Sequence, residues 1–252
     1  TLDHLHRQGI NFYLIDNEST DATPDIIRSF KGRGLAGMEI LPRHGEFCWA
    51  NILQRKEELS RTIDADWFIS ADADEFRLPE RAGERLVDSI ARVDREGYNL
   101  INFNEYVFVP TREHPQHAPE SFLETMRWYY RFELGPLFRS NTWKNGEGPV
   151  DLMNSGGHRV MRAQNRIYPR SLSMRHYLFI SMDHFRAKYY PRKPATSGKD
   201  EGWHGWRKHP EALRFELPNE STLHRYDPAH PLEFIDVPIR REHIVQSNRK
   251  ET

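Results

Sequence analysis

The apolar positions of the first 75 residues fall in short runs broken by polar and glycine-bearing stretches. Leu2 to Gln8 has a helical pattern that Gly9 stops. Asn11 to Ile15 is a compact apolar run, which predicts a buried strand. Ser19-Thr20-Asp21-Ala22-Thr23-Pro24 is turn and cap chemistry, and Pro24 suits the first turn of a helix over Asp25–Lys31. Gly32 and Gly34 end that helix, and Met38–Leu41 predicts a second strand. Ala50–Ile63 carries Ile52, Leu53, Leu59 and Ile63 at helical spacing, a helix packed on a sheet. Asp66–Ala71 predicts a third strand, buried on both faces. Strand and helix therefore alternate, which points to a mostly parallel sheet.

The pattern changes after residue 76. Glu84–Arg95 predicts a helix, and Tyr98–Val109 one or two strands. A Pro- and His-rich loop follows at Pro110–Pro119. Met126–Phe132 is aromatic and strand-like. Gly146-Glu147-Gly148-Pro149 and Ser155-Gly156-Gly157 are loop signals. Leu172–Phe179 predicts a strand and Ser181–Tyr190 a helix. Pro191–Trp206 is basic and carries Gly and Trp. The tail beyond Pro218 holds Pro228, Pro231 and Pro238 and reads as an extended wrap. There is no internal repeat.

Composition narrows the class. The chain has 252 residues, 37% hydrophobic and 12% aromatic, which is globular rather than disordered. With 36 basic and 37 acidic residues the net charge is −1, unlike the basic balance of a nucleic-acid binder. No apolar run approaches the roughly 20 residues that span a bilayer. Cys48 is the only cysteine, so no intrachain disulfide forms, and a reducing compartment fits. A cytoplasmic protein is expected, free or held peripherally at the inner face of the membrane. The chain opens at Thr1 inside a helical pattern, so a trimmed N-terminus is also expected.

Two acidic clusters follow apolar runs. The first is Asp16-Asn17-Glu18-Ser19-Thr20-Asp21 after Phe12–Ile15. The second is Asp72-Ala73-Asp74-Glu75 after Trp67–Ile69. Open α/β sheets bind ligands outside the carboxyl ends of their strands, so both clusters can aim at one site. Asp72 and Asp74 offer hard oxygen ligands for a divalent cation, Mn²⁺ or Mg²⁺, and such a cation can hold a diphosphate. The bland alternative for the second cluster is a solvated acidic turn. For Asp16 it is a cap on the following turn.

The segment Leu14–Thr23 resembles the strand-end D-[DN]-x-S-x-D-x-T segment of GT-A nucleotide-sugar glycosyltransferases, specifically the family 2-like group. Asp72-Ala73-Asp74-Glu75-Phe76 is similar to that family's D-x-D-E-F metal motif. Further on, His176-Tyr177, Ser181, Phe185 and Lys188 resemble an H-Y-x(3)-S-x(3)-F-x(2)-K segment of bacterial relatives. The likeness is good over 1–76, fair over 155–190 and thin elsewhere. It implies a Rossmann-like GT-A fold: a mostly parallel central sheet flanked by helices, with a smaller acceptor-side β region and an extended tail. One catalytic domain is expected, with a nucleotide-sugar half at 1–110, an acceptor half at 111–217 and the tail at 218–252. The family's usual first strand is not visible in the chain.

The resemblance also implies roles. Asp16, Asn17, Glu18, Asp72 and Lys188 would bind the donor, Asp16 reading the base. Asp74, Asp72 and His176 would hold the metal, with His204 as competitor. From the residues themselves, His158 would line the side of a glycan or lipid-linked saccharide acceptor, and Trp203 and Trp206 would stack on a sugar ring of that acceptor or simply pack in the core. For the general base of an inverting transfer the candidates are Asp151, Asp200 and Glu201, with Asp183 disfavoured inside a helix. Asp200 and Glu201 are preferred because their Gly-bearing loop can close over the donor. Arg192, Lys193 and Lys199, with Lys188, form a basic run that can neutralise diphosphate oxygens or simply face solvent. Cell-surface polysaccharide assembly is the expected setting. Two other readings stay open: a nucleotidyltransferase on a related sheet, and a non-catalytic glycan-binding or scaffold domain of a larger synthase.

Overall fold

A computed structural model describes residues 1–190, 216–229, 232 and 237–244. Its architecture is α/β with mixed sheets and, among the described residues, six α-helices. The first half follows the alternation of the sequence: α1 (Leu2–Arg7), β1 (Phe12–Asp16), α2 (Thr23–Arg28), β2 (Leu35–Ile40), α3 (Trp49–Thr62) and β3 (Trp67–Ile69). Then come β4 (Glu75–Arg77), α4 (Leu86–Arg95), β5 (Leu100–Ile101), β6 (Phe103–Phe108), α5 (Phe122–Thr125), β7 (Trp128–Phe132), β8 (Thr142–Lys144), β9 (Leu172–Tyr177), α6 (Met182–Tyr189), β10 (His224–Arg225) and β11 (Ile239–Arg240).

The pairing is mixed rather than mostly parallel. β1 and β2 form a parallel pair. β3 is instead an edge strand, antiparallel to β8, in the order β3-β8-β5. The third sheet runs β10-β7-β6-β9-β4, with β11 against β7. Within it β6 and β9 are parallel, whereas β4–β9 and β6–β7 are antiparallel. β3 is only half-buried, against the expectation of burial on both faces: as the outermost strand of a three-stranded sheet it is covered less completely than a central strand. Two three-residue strands, β4 and β8, fall where the sequence predicts none. They are too short for a period of two to register. The described part of the tail adds the two short strands β10 and β11 to β7.

The helices dock through spaced apolar stripes. Leu86, Ile90 and Val93 of α4 are buried against Ile101, Phe103, Leu172 and Met174. Leu53 of α3 is buried with Trp143, Val150, Leu152 and Val160. An aromatic layer of Phe76, Tyr106, Phe108, Tyr129 and Tyr177 covers one face of the five-strand path. The face that carries Glu105 and His176 looks the other way, because side chains alternate along a strand.

Gly157 fixes the approach of the 153–158 loop to α3. Its φ is +88°, and a Cβ would stand 2.7 Å from Leu53 Cδ2. Gly157→Ala is expected to cost about 1–3 kcal/mol from backbone strain and overpacking. Urea denaturation measures it, and a cost below about 0.5 kcal/mol, the scale of an ordinary surface change, would show that α3 yields freely.

Candidate active site

Both acidic clusters line one cavity of about 960 Å³, together with Arg139, His158, His176 and Lys188. Asp16, at the carboxyl end of β1, is buried, and both its oxygens accept from Ser19 N at 3.2–3.3 Å. The capping contact is therefore present, and the same carboxylate still borders the cavity. Asn17 donates from Nδ2 to Leu41 O at 2.8 Å, while its buried Oδ1 has no partner among the described residues. Glu18 takes a positive φ of 56° and accepts from Arg43 N at 3.0 Å. It ties the loop after β1 to the loop after β2 and is not part of the cavity lining.

The second cluster is less solvated than an acidic turn would be. Glu75 and Arg77 are buried side by side at 3.0 Å, both in β4. Asp72 keeps a side chain 45% exposed, 3.4 Å from Lys56 Nζ. Burial alone would raise its carboxyl, but the Lys56 ammonium holds it below the ordinary range. Asp74 accepts from Lys188 Nζ at 2.6 Å and has His176 Nε2 at 3.5 Å from its other oxygen. Burial opposes ionisation here too, yet Lys188 and His176 hold the Asp74 carboxyl well below its usual value.

His176 sits on β9 with Nδ1 2.5 Å from Glu105 Oε1. Burial would lower its pKa, but Asp74 and Glu105 raise it to about 10, so the ring is an imidazolium at neutral pH. Burial likewise pushes the Glu105 carboxyl up, while the Arg139 guanidinium and His176 hold it far below the carboxylate range. Arg139 donates from Nε to Glu105 at 2.6 Å and stands 3.4 Å from Glu75. It also contacts His158 Nδ1 at 2.6 Å. An arginine only donates, so His158 must carry its ring proton on Nε2. His158 follows Gly157 and packs on Phe138.

Not every candidate converges. Asp151 accepts from Asn154 N at 2.9 Å in a short turn and lies outside the cavity lining. Asp183 pairs with Arg186 at the surface. Arg192, Lys193, Lys199, Asp200, Glu201, Trp203, His204 and Trp206 lie outside the described residues.

Glu105 and Arg139 were not singled out in the sequence. The available signal was Glu105 alternating with Phe103 and Val107 in one strand, a charge at an inward-facing position. Arg139 gave no comparable signal, because it lies outside any strand or helix.

Asp74 and Asp72 offer oxygen donors, the type a hard divalent cation accepts, whereas His176, expected as a third ligand, is protonated on both ring nitrogens here and has no lone pair to give. By donor type the two carboxylates fit such a cation, with Asp74 as anchor. No three His, Cys, Asp or Glu side chains among the described residues form a ready-made metal group. No helix among them is long and apolar enough to cross a membrane. No protein-family model matches the chain, and no curated protein does.

Proposed function

We propose that this chain is a GT-A-type glycosyltransferase of the family 2-like group, moving a sugar from a nucleotide-sugar donor to a glycan or lipid-linked saccharide. One observation carries the reading. Carboxylates at the ends of β1 and just after β3, about fifty-six positions apart, border the same cavity as Lys188 and His176. Acidic groups on one side and cations beside them suit a donor that combines a hydrogen-bonding base and ribose with a diphosphate.

In this reading Asp16 and Asn17 hold the nucleoside. Asn17 Oδ1, buried and without a partner among the described residues, is an acceptor that a base or ribose donor would satisfy. Lys188 and His176 supply positive charge to the diphosphate oxygens, and charge-assisted bonds of that kind are the strong ones. Asp74, with Asp72 beside it, would hold a divalent cation, which when bound would supply Lewis-acid stabilisation of the departing diphosphate. The acceptor oxygen bonds to the anomeric carbon as the bond to phosphate breaks. The acceptor's proton goes to a carboxylate, for which Asp200 and Glu201 are the candidates. His158, with its proton on Nε2, offers a hydrogen-bond donor on the acceptor side. Inverting stereochemistry, polysaccharide assembly and a cytoplasmic or membrane-face setting belong to the same proposal.

Calorimetry with UDP-, GDP-, CMP- and dTDP-sugars, in Mn²⁺ and then in EDTA, tests it. Binding of one nucleotide class that weakens in EDTA is expected. A folded protein that binds none of them overturns the proposal and returns the chain to the scaffold reading.

A further inference from the structure

Glu105 and Arg139 belong to neither acidic motif, yet they form a deeply buried charge pair beside the cavity. The Glu105 side chain is 0% exposed and that of Arg139 is 6% exposed. A carboxylate so placed is costly unless it is paired and fully hydrogen-bonded. Its two oxygens are used in different directions. Oε2 accepts from Arg139 Nε at 2.6 Å, and Oε1 accepts from His176 Nδ1 at 2.5 Å.

Strand register produces this contact. β6 and β9 are parallel with Glu105 opposite Met174, which puts His176 two residues further along the same face. Glu75 lies directly across from His176 on the other side, in the antiparallel β4–β9 pair. Its carboxylate, however, is directed to Arg77 and Arg139. Glu105 is thus the carboxylate that takes Nδ1, and the opposite ring nitrogen, Nε2, faces Asp74 Oδ1 at 3.5 Å.

We propose that Glu105 is a positioning residue. Anchored by Arg139, it holds His176 through Nδ1 so that Nε2 is presented to the Asp74 side of the cavity, where the donor diphosphate would lie. Only the identity of the ligand rests on the glycosyltransferase reading. The orientation of the ring rests on the Glu105 and Arg139 contacts. Glu105 does not touch the ligand itself. Removing an outer partner of this kind characteristically weakens the site by about 10–100-fold.

The test begins on the unmodified protein. Long-range proton–nitrogen NMR of histidine-labelled protein is expected to show a hydrogen-bonded Nδ1–H on His176, assigned by its loss in His176→Gln. An Nδ1 without a proton overturns the proposal whether or not any variant folds. Glu105→Gln, checked for native circular dichroism, is then expected to shift that resonance. Its affinity for the nucleotide sugar that the unmodified protein binds should fall at least about tenfold. Glu105→Asp, which keeps the charge on a shorter arm, should retain part of that affinity. An unchanged His176 resonance with unchanged affinity in Glu105→Gln makes Glu105 merely a counter-ion for Arg139 and overturns the proposal. If the resonance is present but no nucleotide sugar binds, the functional reading fails and the positioning role stands on the spectrum.

Discussion

Arg139→Met is expected to destabilise the protein by about 3–5 kcal/mol, the usual cost of removing one partner from a buried ion pair. Arg139 stands between two buried carboxylates, 2.6 Å from Glu105 and 3.4 Å from Glu75. Met preserves much of the volume and none of the charge. Glu75 would keep Arg77, but Glu105 would keep only His176. Such a loss is a large share of the roughly 5–15 kcal/mol that holds a typical domain together. Urea denaturation should show a lower midpoint with an unchanged slope. Adding Glu105→Gln should recover part of the loss, since it removes the stranded charge, and the non-additivity measures the coupling. A cost below about 1 kcal/mol would mean that water or a rearranged side chain already compensates the carboxylates.

Asp74→Asn is the second large effect. Asn matches Asp in shape but carries no charge, so the strand pairing of β4 should survive while the anchor for a cation disappears. On the proposed reading kcat/KM for transfer falls at least about a hundredfold, close to 2.7 kcal/mol of transition-state stabilisation. Steady-state assays at saturating Mn²⁺ with the nucleotide sugar that binds would show it. Asp74 is also the carboxylate that Lys188 meets at 2.6 Å. The variant therefore removes the charge that pairs with Lys188, which still donates to Leu178 O at 2.8 Å, and ground-state binding should drop less than turnover. Full turnover by a folded Asp74→Asn protein would remove Asp74 from the chemistry.

The local elements were readable because their signals are local. Gly9, at φ +72°, stops the first helix as its position in the sequence implies. Pro24 lies in the first turn of α2, and the stripe of α3 faces inward with Leu53 buried. That both acidic clusters border one cavity follows from where they sit, at the carboxyl ends of apolar runs. Pairing was less readable. A three-residue strand such as β8 carries too few positions for a period to show, so the partner of β3 could not be inferred, nor could its antiparallel sense. Asp151 illustrates a different limit: a carboxylate in a loop has the same sequence appearance whether it caps a turn or faces a substrate.

By itself, then, the sequence determined the strand–helix alternation of residues 1–76, the placement of carboxylates at strand ends and the absence of any bilayer-length apolar run. Tertiary structure alone decided what those carboxylates face. Glu105 reaches Arg139 across 34 residues and His176 across 71. A period-two pattern tells which face a side chain occupies, but not which strand lies beside it. Charges so far apart in the chain find each other only when strand order and register bring them together, and that order is settled by the packing of the whole core.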